Sequence, residues 1–104
     1  MNGVFFKKYY VAILNDDDNF INKTINLLTK LYKNRIIIKT FKTPKSMFQA
    51  INISKIKNQP FDIAILNSDE IEEKIILNYS NPSLKVILCS DETSLKLEAS
   101  KLLL

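Results

Sequence analysis

Apolar positions recur along this chain with two periods, and the switches between them mark its elements. In the stretch FDIAILNSDE, beginning at Phe61, the residues from Ile63 run apolar or small without alternation and stop at the amide Asn67. Such a run suits a strand buried on both faces. Tyr9 to Leu14 (YYVAIL) and Ile36 to Phe41 (IIIKTF) read the same way, as does the stretch from Leu84 to Cys89 (LKVILC). Between them the period lengthens. Apolar residues at 20, 21, 25, 28, 31 and 32 form one helical stripe running to about Lys33, with Asp17 or Asp18 as its cap. Thr43-Pro44 opens a second helix, Thr as cap and Pro at the first position, with Met47, Phe48 and Ile51 facing inward. Asn58-Gln59-Pro60 is a turn. A third helix is expected over about residues 69–78, with Ile71, Ile75 and Tyr79 inward and Asp69 and Glu72 forming a capping box. Asn81-Pro82 breaks it, and a last helix over about 93–103 places Leu95, Ala99, Leu102 and Leu103 on one face. Val4, Phe5 and Phe6, ahead of the first strand, call for burial.

The order is therefore β-α-β-α-β-α-β-α, which predicts a single α/β domain with a parallel sheet and right-handed crossovers. Two stretches echo each other, VAILN from Val11 and IAILN from Ile63. Their following helices share nothing, so the echo reads as two buried parallel strands rather than a duplication.

Composition narrows the picture. A chain of 104 residues, 46% hydrophobic and 25% charged, is one ordinary globular domain. There is no histidine, which removes the commonest general base and transition-metal ligand. The one cysteine, Cys89, lies in an apolar run and predicts a buried thiol in a reducing, cytoplasmic compartment. No apolar run approaches the roughly 20 residues of a bilayer crossing. Net charge is +4, but the lysines are scattered, which fits a solvated surface better than a nucleic-acid stripe.

Chemistry is expected at the carboxyl ends of the strands, where ligands of open α/β sheets collect. Three strands end in a polar residue followed by acids: Asn15-Asp16-Asp17, Asn67-Ser68-Asp69 and Ser90-Asp91-Glu92. Neighbouring strands would bring all three to one crevice. The plainer alternative is that Asp17, Asp18, Asp69 and Asp91 only cap helices.

The stretches VAILNDDDNF, TFKTPKSMFQAI, FDIAILNS and PSLKVILCS make the chain resemble the response-regulator receiver (CheY-like) family, especially receivers that precede LytTR-type DNA-binding domains. The resemblance implies a three-layer, flavodoxin-like parallel sheet in the order 2-1-3-4, with the family's fifth strand and fifth helix missing. It places the acidic pair on Asn15 and Asp16, the phosphate-accepting position on Asn67 and the hydroxyl position on Ser90. Asp16 is then the one matching acid for a metal, and Mg2+, which favours carboxylates, is expected to bind weakly if at all. Asn67 has no carboxylate to attack a phosphoryl group, and Asp91 would repel one. The resemblance thus implies a degenerate receiver of a two-component system, working by protein–protein contact or dimerisation without aspartyl phosphorylation. Partners would meet it at the open edge from Leu84 to Cys89 and on a sheet face covered by the first helix alone. DNA would be reached only through a C-terminal domain absent from this sequence. Two alternatives come from other classes: a small phosphatase-like enzyme using Asp16 in a D-x-D pattern, and a basic nucleic-acid-binding domain.

Overall fold

The computed structural model describes residues 7–89 and 91–101. Four strands, β1 (Tyr9–Leu14), β2 (Ile36–Phe41), β3 (Ile63–Leu66) and β4 (Lys85–Leu88), form one sheet in the order β2-β1-β3-β4. All three pairings are parallel. Four helices connect or follow them: α1 (Asp18–Tyr32), α2 (Pro44–Ile56), α3 (Ile71–Ser80) and α4 (Glu92–Ala99). The fold is α/β with a parallel sheet, as the alternation of elements predicted, and its strand order is flavodoxin-like, as the resemblance implied.

The central strands show why their sequences do not alternate. Ile63 to Leu66 are all buried, as are Val11 to Leu14, because helices cover both faces of the sheet. Val11, Ile13, Ile63, Ile65 and Ile87 pack on one face with Phe20, Ile21 and Leu28 of α1 and Leu95 and Ala99 of α4. Ala12, Leu14, Ala64 and Leu66 pack on the other with Met47 and Ile51 of α2 and Leu77 of α3. The two echoing stretches lie side by side in register, with Ala12 beside Ala64 and Leu14 beside Leu66. Ala12 and Ala64 share a core cluster with Met47, which is fully buried, so the echo marks two adjacent strands with the same two neighbours above and below.

The helix caps follow the local chemistry. Asp17, not Asp18, caps α1, accepting from the Asn19 N–H at 2.9 Å. Thr43 caps α2 through Ser46 N–H, with Pro44 at the first position. Asn58 ends the α2 connection with a φ of 60°, a left-handed geometry that Asn tolerates better than most residues.

Three expectations are corrected. The sheet face expected to carry α1 alone carries α4 as well: Leu95 and Ala99 pack into the α1 layer, and the Tyr32 hydroxyl donates to the Ala99 carbonyl. A right-handed crossover to a strand beyond β4 would put its helix with α2 and α3, whereas α4 packs with α1, giving two helices to each face among the described residues. The α3 face is also reversed. Ile71, Ile75 and Tyr79 are exposed at 56%, 62% and 90%, and Leu77 is the buried residue. Finally, no capping box forms. α3 begins at Ile71 with Glu70 before it, and Glu70 makes no side-chain cap bond. The Glu70 N–H is held by the Asn67 carbonyl at 3.0 Å, a turn that delays the helix by two residues. Val4, Phe5, Phe6, Ser90, Leu102 and Leu103, for which the sequence carried expectations, lie outside the described residues.

Candidate functional site at the strand ends

The switch point of the sheet lies between β1 and β3, whose following helices depart on opposite faces. Each strand-end residue there extends the ladder by one bond. Asn15 N–H donates to Phe41 O at 3.1 Å, and Asn67 N–H donates to Leu14 O at 3.1 Å. This fixes both amides side by side on the rim. Around them is a small cavity of about 70 Å³ lined by Leu14, Asn15, Asp16, Lys42, Asn67, Asp69 and Glu70.

Both amide oxygens are engaged with backbone. Asn15 is buried, and its Oδ1 accepts the Asp17 N–H at 2.9 Å, shaping the turn into α1. Asn67 Oδ1 accepts the Ser68 N–H at 2.8 Å. Asp16 and Asp69 flank the cavity, while Lys42, from the end of β2, is the cation in its lining and pairs with Asp18 Oδ1 at 2.9 Å.

Glu70 is the unusual acid. Its carboxyl is pushed up to about 7, first by a hydrogen bond shared with Glu73, then by partial burial and by repulsion from Glu73, Asp69 and Asp16. Near neutral pH it is therefore about half protonated, an arrangement in which two crowded carboxyls share a proton rather than both ionise. The folded state holds this proton more tightly than the unfolded chain does. Stability from this group is thus fully present below its ordinary value of 4.5 and is lost as pH rises through about 7. Solvent screening at the rim keeps the effect on the order of 0.5–1 kcal/mol. Glu70→Gln should flatten the fall in stability between those two pH values, read from urea midpoints; an unchanged pH profile would show that Glu70 ionises freely.

Two of the three polar clusters therefore meet, and Asp91 of the third does not join them. Asp91 turns its carboxylate to cap α4, accepting from Ser94 N–H and Ser94 Oγ, both at 2.7 Å. Those bonds hold its carboxyl below the ordinary range. Asp17 and Asp91 are thus caps, whereas Asp69 lines the cavity and α3 has no side-chain N-cap bond. Cys89 is buried as expected, and burial raises its thiol above the ordinary value.

The donor set does not fit Mg2+. Among the described residues no three His, Cys, Asp or Glu groups converge to hold a metal ion, and Asn15 and Asn67 spend their amide oxygens on backbone N–H groups. The sequence reading missed Lys42, Glu70 and Glu73. Lys42 was within reach of it, because the residue after β2 must lie on the same rim as the residues after β1 and β3. The Glu70–Glu73 pairing depended on where α3 starts.

No protein-family model matches the chain, and no curated protein matches it. Among the described residues no helix is long and apolar enough to cross a membrane.

Proposed function

We propose that the chain is a receiver-like signalling module of a two-component regulator that works by protein–protein contact and does not carry a phosphoryl group. The observation that carries this reading is Asn67. It stands at the end of β3, at the switch point of a sheet in the order 2-1-3-4, with its amide oxygen turned back onto the Ser68 N–H. The amide nitrogen is not a nucleophile, since its lone pair is delocalised into the carbonyl, and so no acyl phosphate can form there. Asn15 removes a second carboxylate from the place where a receiver holds its metal. The acids that remain there are Asp16, Asp69 and Glu70. Glu70 keeps a proton chiefly through its hydrogen bond with Glu73 and partial burial, with repulsion from its acidic neighbours adding to this. Such a rim disfavours an incoming phosphoryl group. The reading is of a binding module rather than a catalyst.

Incubation with acetyl phosphate and Mg2+ should leave the intact mass of the chain unchanged. Asn67→Asp combined with Asn15→Asp should gain measurable Mg2+ binding by NMR titration of the rim amides. Phosphorylation of the unaltered chain near Asn67 would overturn the proposal, as would phosphatase activity that disappears in Asp16→Asn.

A further inference from the structure

A cavity of about 230 Å³ lies away from the strand-end rim, between the C-terminal half of α2 and the sheet. Its floor is Tyr10, near the start of β1, and Phe61, just ahead of β3, so it sits toward the other end of the strands. The two rings meet edge to face, with centroids 6.5 Å apart and planes at 86°, an arrangement aromatic pairs prefer. Ala50 and Ile53 of α2 form the facing wall, and Ile53 is 51% exposed. Lys39 and Lys57 complete the lining. Lys39 is the ladder partner of Ala12, which packs under α2, so it rises from the same sheet face. β2 is the outer strand on this side, and the space beside α2 is therefore open above it.

The charges around this cavity are of one sign. No Asp or Glu lines it. Neither Lys39 nor Lys57 makes an ion pair among the described residues, whereas Lys7, Lys23, Lys42 and Lys96 do. The end of α2 does not need either lysine as a donor: the carbonyls of Ile53, Lys55 and Ser54 accept from the N–H groups of Lys57, Asn58 and Gln59 at 3.0, 3.1 and 2.9 Å. The Gln59 side-chain amide, also in the lining, makes no hydrogen bond among the described residues. Ser54 is already committed, since its hydroxyl donates to Ile51 O at 2.7 Å.

We propose that this cavity binds a small aromatic carboxylate, with its ring against Tyr10, Phe61 and Ile53 and its charge facing Lys39 and Lys57. Size sets the scale of the ligand. About 150 Å³ admits benzene, and clefts for drug-sized ligands begin near 300 Å³, so this one admits a single ring with a short arm. Two cations without an acid select an anion, and an aromatic floor under a half-exposed isoleucine selects an apolar body. A phosphate is less suited. The cavity has neither a helix N-terminus nor an arginine fork, and it lies by the negative end of α2, which opposes a doubly charged group more than a singly charged one. The inference does not depend on the receiver reading.

Phenylacetate is a suitable probe. In an NMR titration of the full chain at about 0.15 M salt, it should shift the backbone amides of Tyr10, Ser54, Gln59 and Phe61. Its dissociation constant should be on the order of 1 mM or below, the scale for a ligand of about ten heavy atoms. Phenylacetamide keeps the ring and loses the charge; acetate keeps the charge and loses the ring. Each should bind at least about tenfold more weakly, since both halves of the ligand are recognised. Lys39→Gln combined with Lys57→Gln should weaken phenylacetate by about tenfold or more and leave phenylacetamide unchanged. Ala50→Phe fills the wall and should abolish binding of both ring compounds. The two lysines are exposed, so their replacement keeps the test valid if Ala50→Phe fails to fold. Shifts that do not saturate by about 10 mM phenylacetate, or that fall elsewhere on the chain, would overturn the proposal. So would equal affinity for either control compound, or an affinity untouched by the loss of both lysines.

Discussion

Leu77→Ala should lower the unfolding free energy by about 3 kcal/mol, the middle of the range for leucines removed from tight cores. Leu77 is 1% exposed and is the buried residue of α3. It packs in the cluster formed by Leu66, Phe61, Leu84 and the α2 residues Met47 and Ile51. The cavity left by its truncation would sit under a ten-residue helix with no side-chain N-cap, so α3 has little else to hold it down. Ile75→Ala is the informative control. It should cost less than about 0.5 kcal/mol, the usual scale for a surface substitution. Urea denaturation of the two variants reads the difference directly. Equal losses would mean that α3 presents its isoleucines to the sheet, and the helix phase described above would be wrong.

Leu95→Ala should cost a similar amount, about 3 kcal/mol, and its consequences should be local. Leu95 is 2% exposed and joins α4 to Phe20, Ile21 and Leu28 of α1 across the sheet residues Ile65 and Ile87. α4 has eight residues, too few to persist without tertiary packing. Besides Leu95 and Ala99, its ties to α1 are the Tyr32–Ala99 hydrogen bond and an exposed Lys23–Glu92 pair at 3.8 Å, and an exposed pair of that kind contributes little. The expected signature is early loss of amide protection in α4 and at Ile87, ahead of β1 and β3. Uniform loss across the sheet would show that α4 unfolds only with the whole domain. No loss at all would show that α4 does not cover this face.

At the rim, Asn15 and Asn67 are fixed by ladder extensions and backbone-directed side-chain bonds. The proton-sharing pair Glu70–Glu73 lies at the start of α3.

Much of the fold was legible in the residues. The strand from Tyr9 to Leu14, the strand from Ile36 to Phe41 and the Thr43-Pro44 helix start appear where patterning and cap chemistry put them, because each depends on neighbours along the chain. The unbroken apolar runs of β1 and β3 announced strands covered on both faces, and the structure sets the two echoing stretches side by side in register. Asn15, Asp16 and Asn67 could be placed on one rim for the same reason: the carboxyl ends of adjacent parallel strands must share an edge.

What lay beyond the sequence was set by contacts between distant residues. The phase of α3 went the other way from its composition. Ile71, Ile75 and Tyr79 are its most apolar stripe, yet the turn held by the Asn67 carbonyl and the rise onto β4 rotate Leu77 inward instead. Hydrophobicity favours burying that stripe, but a helix over an edge strand meets the sheet along one line, and the line is fixed by where the chain enters and leaves. The side taken by α4 was decided in the same way, since Leu95 and Ala99 could have packed on either face and only the space beside α1 was open. Sequence alone thus determined the elements, their order and the presence of an amide, Asn67, at the end of β3, all of which are local or follow from strand adjacency. The tertiary structure alone decided which acids crowd Glu70, which helices share a face and which apolar stripe stays in solvent, because those depend on surfaces that exist only once the sheet has formed.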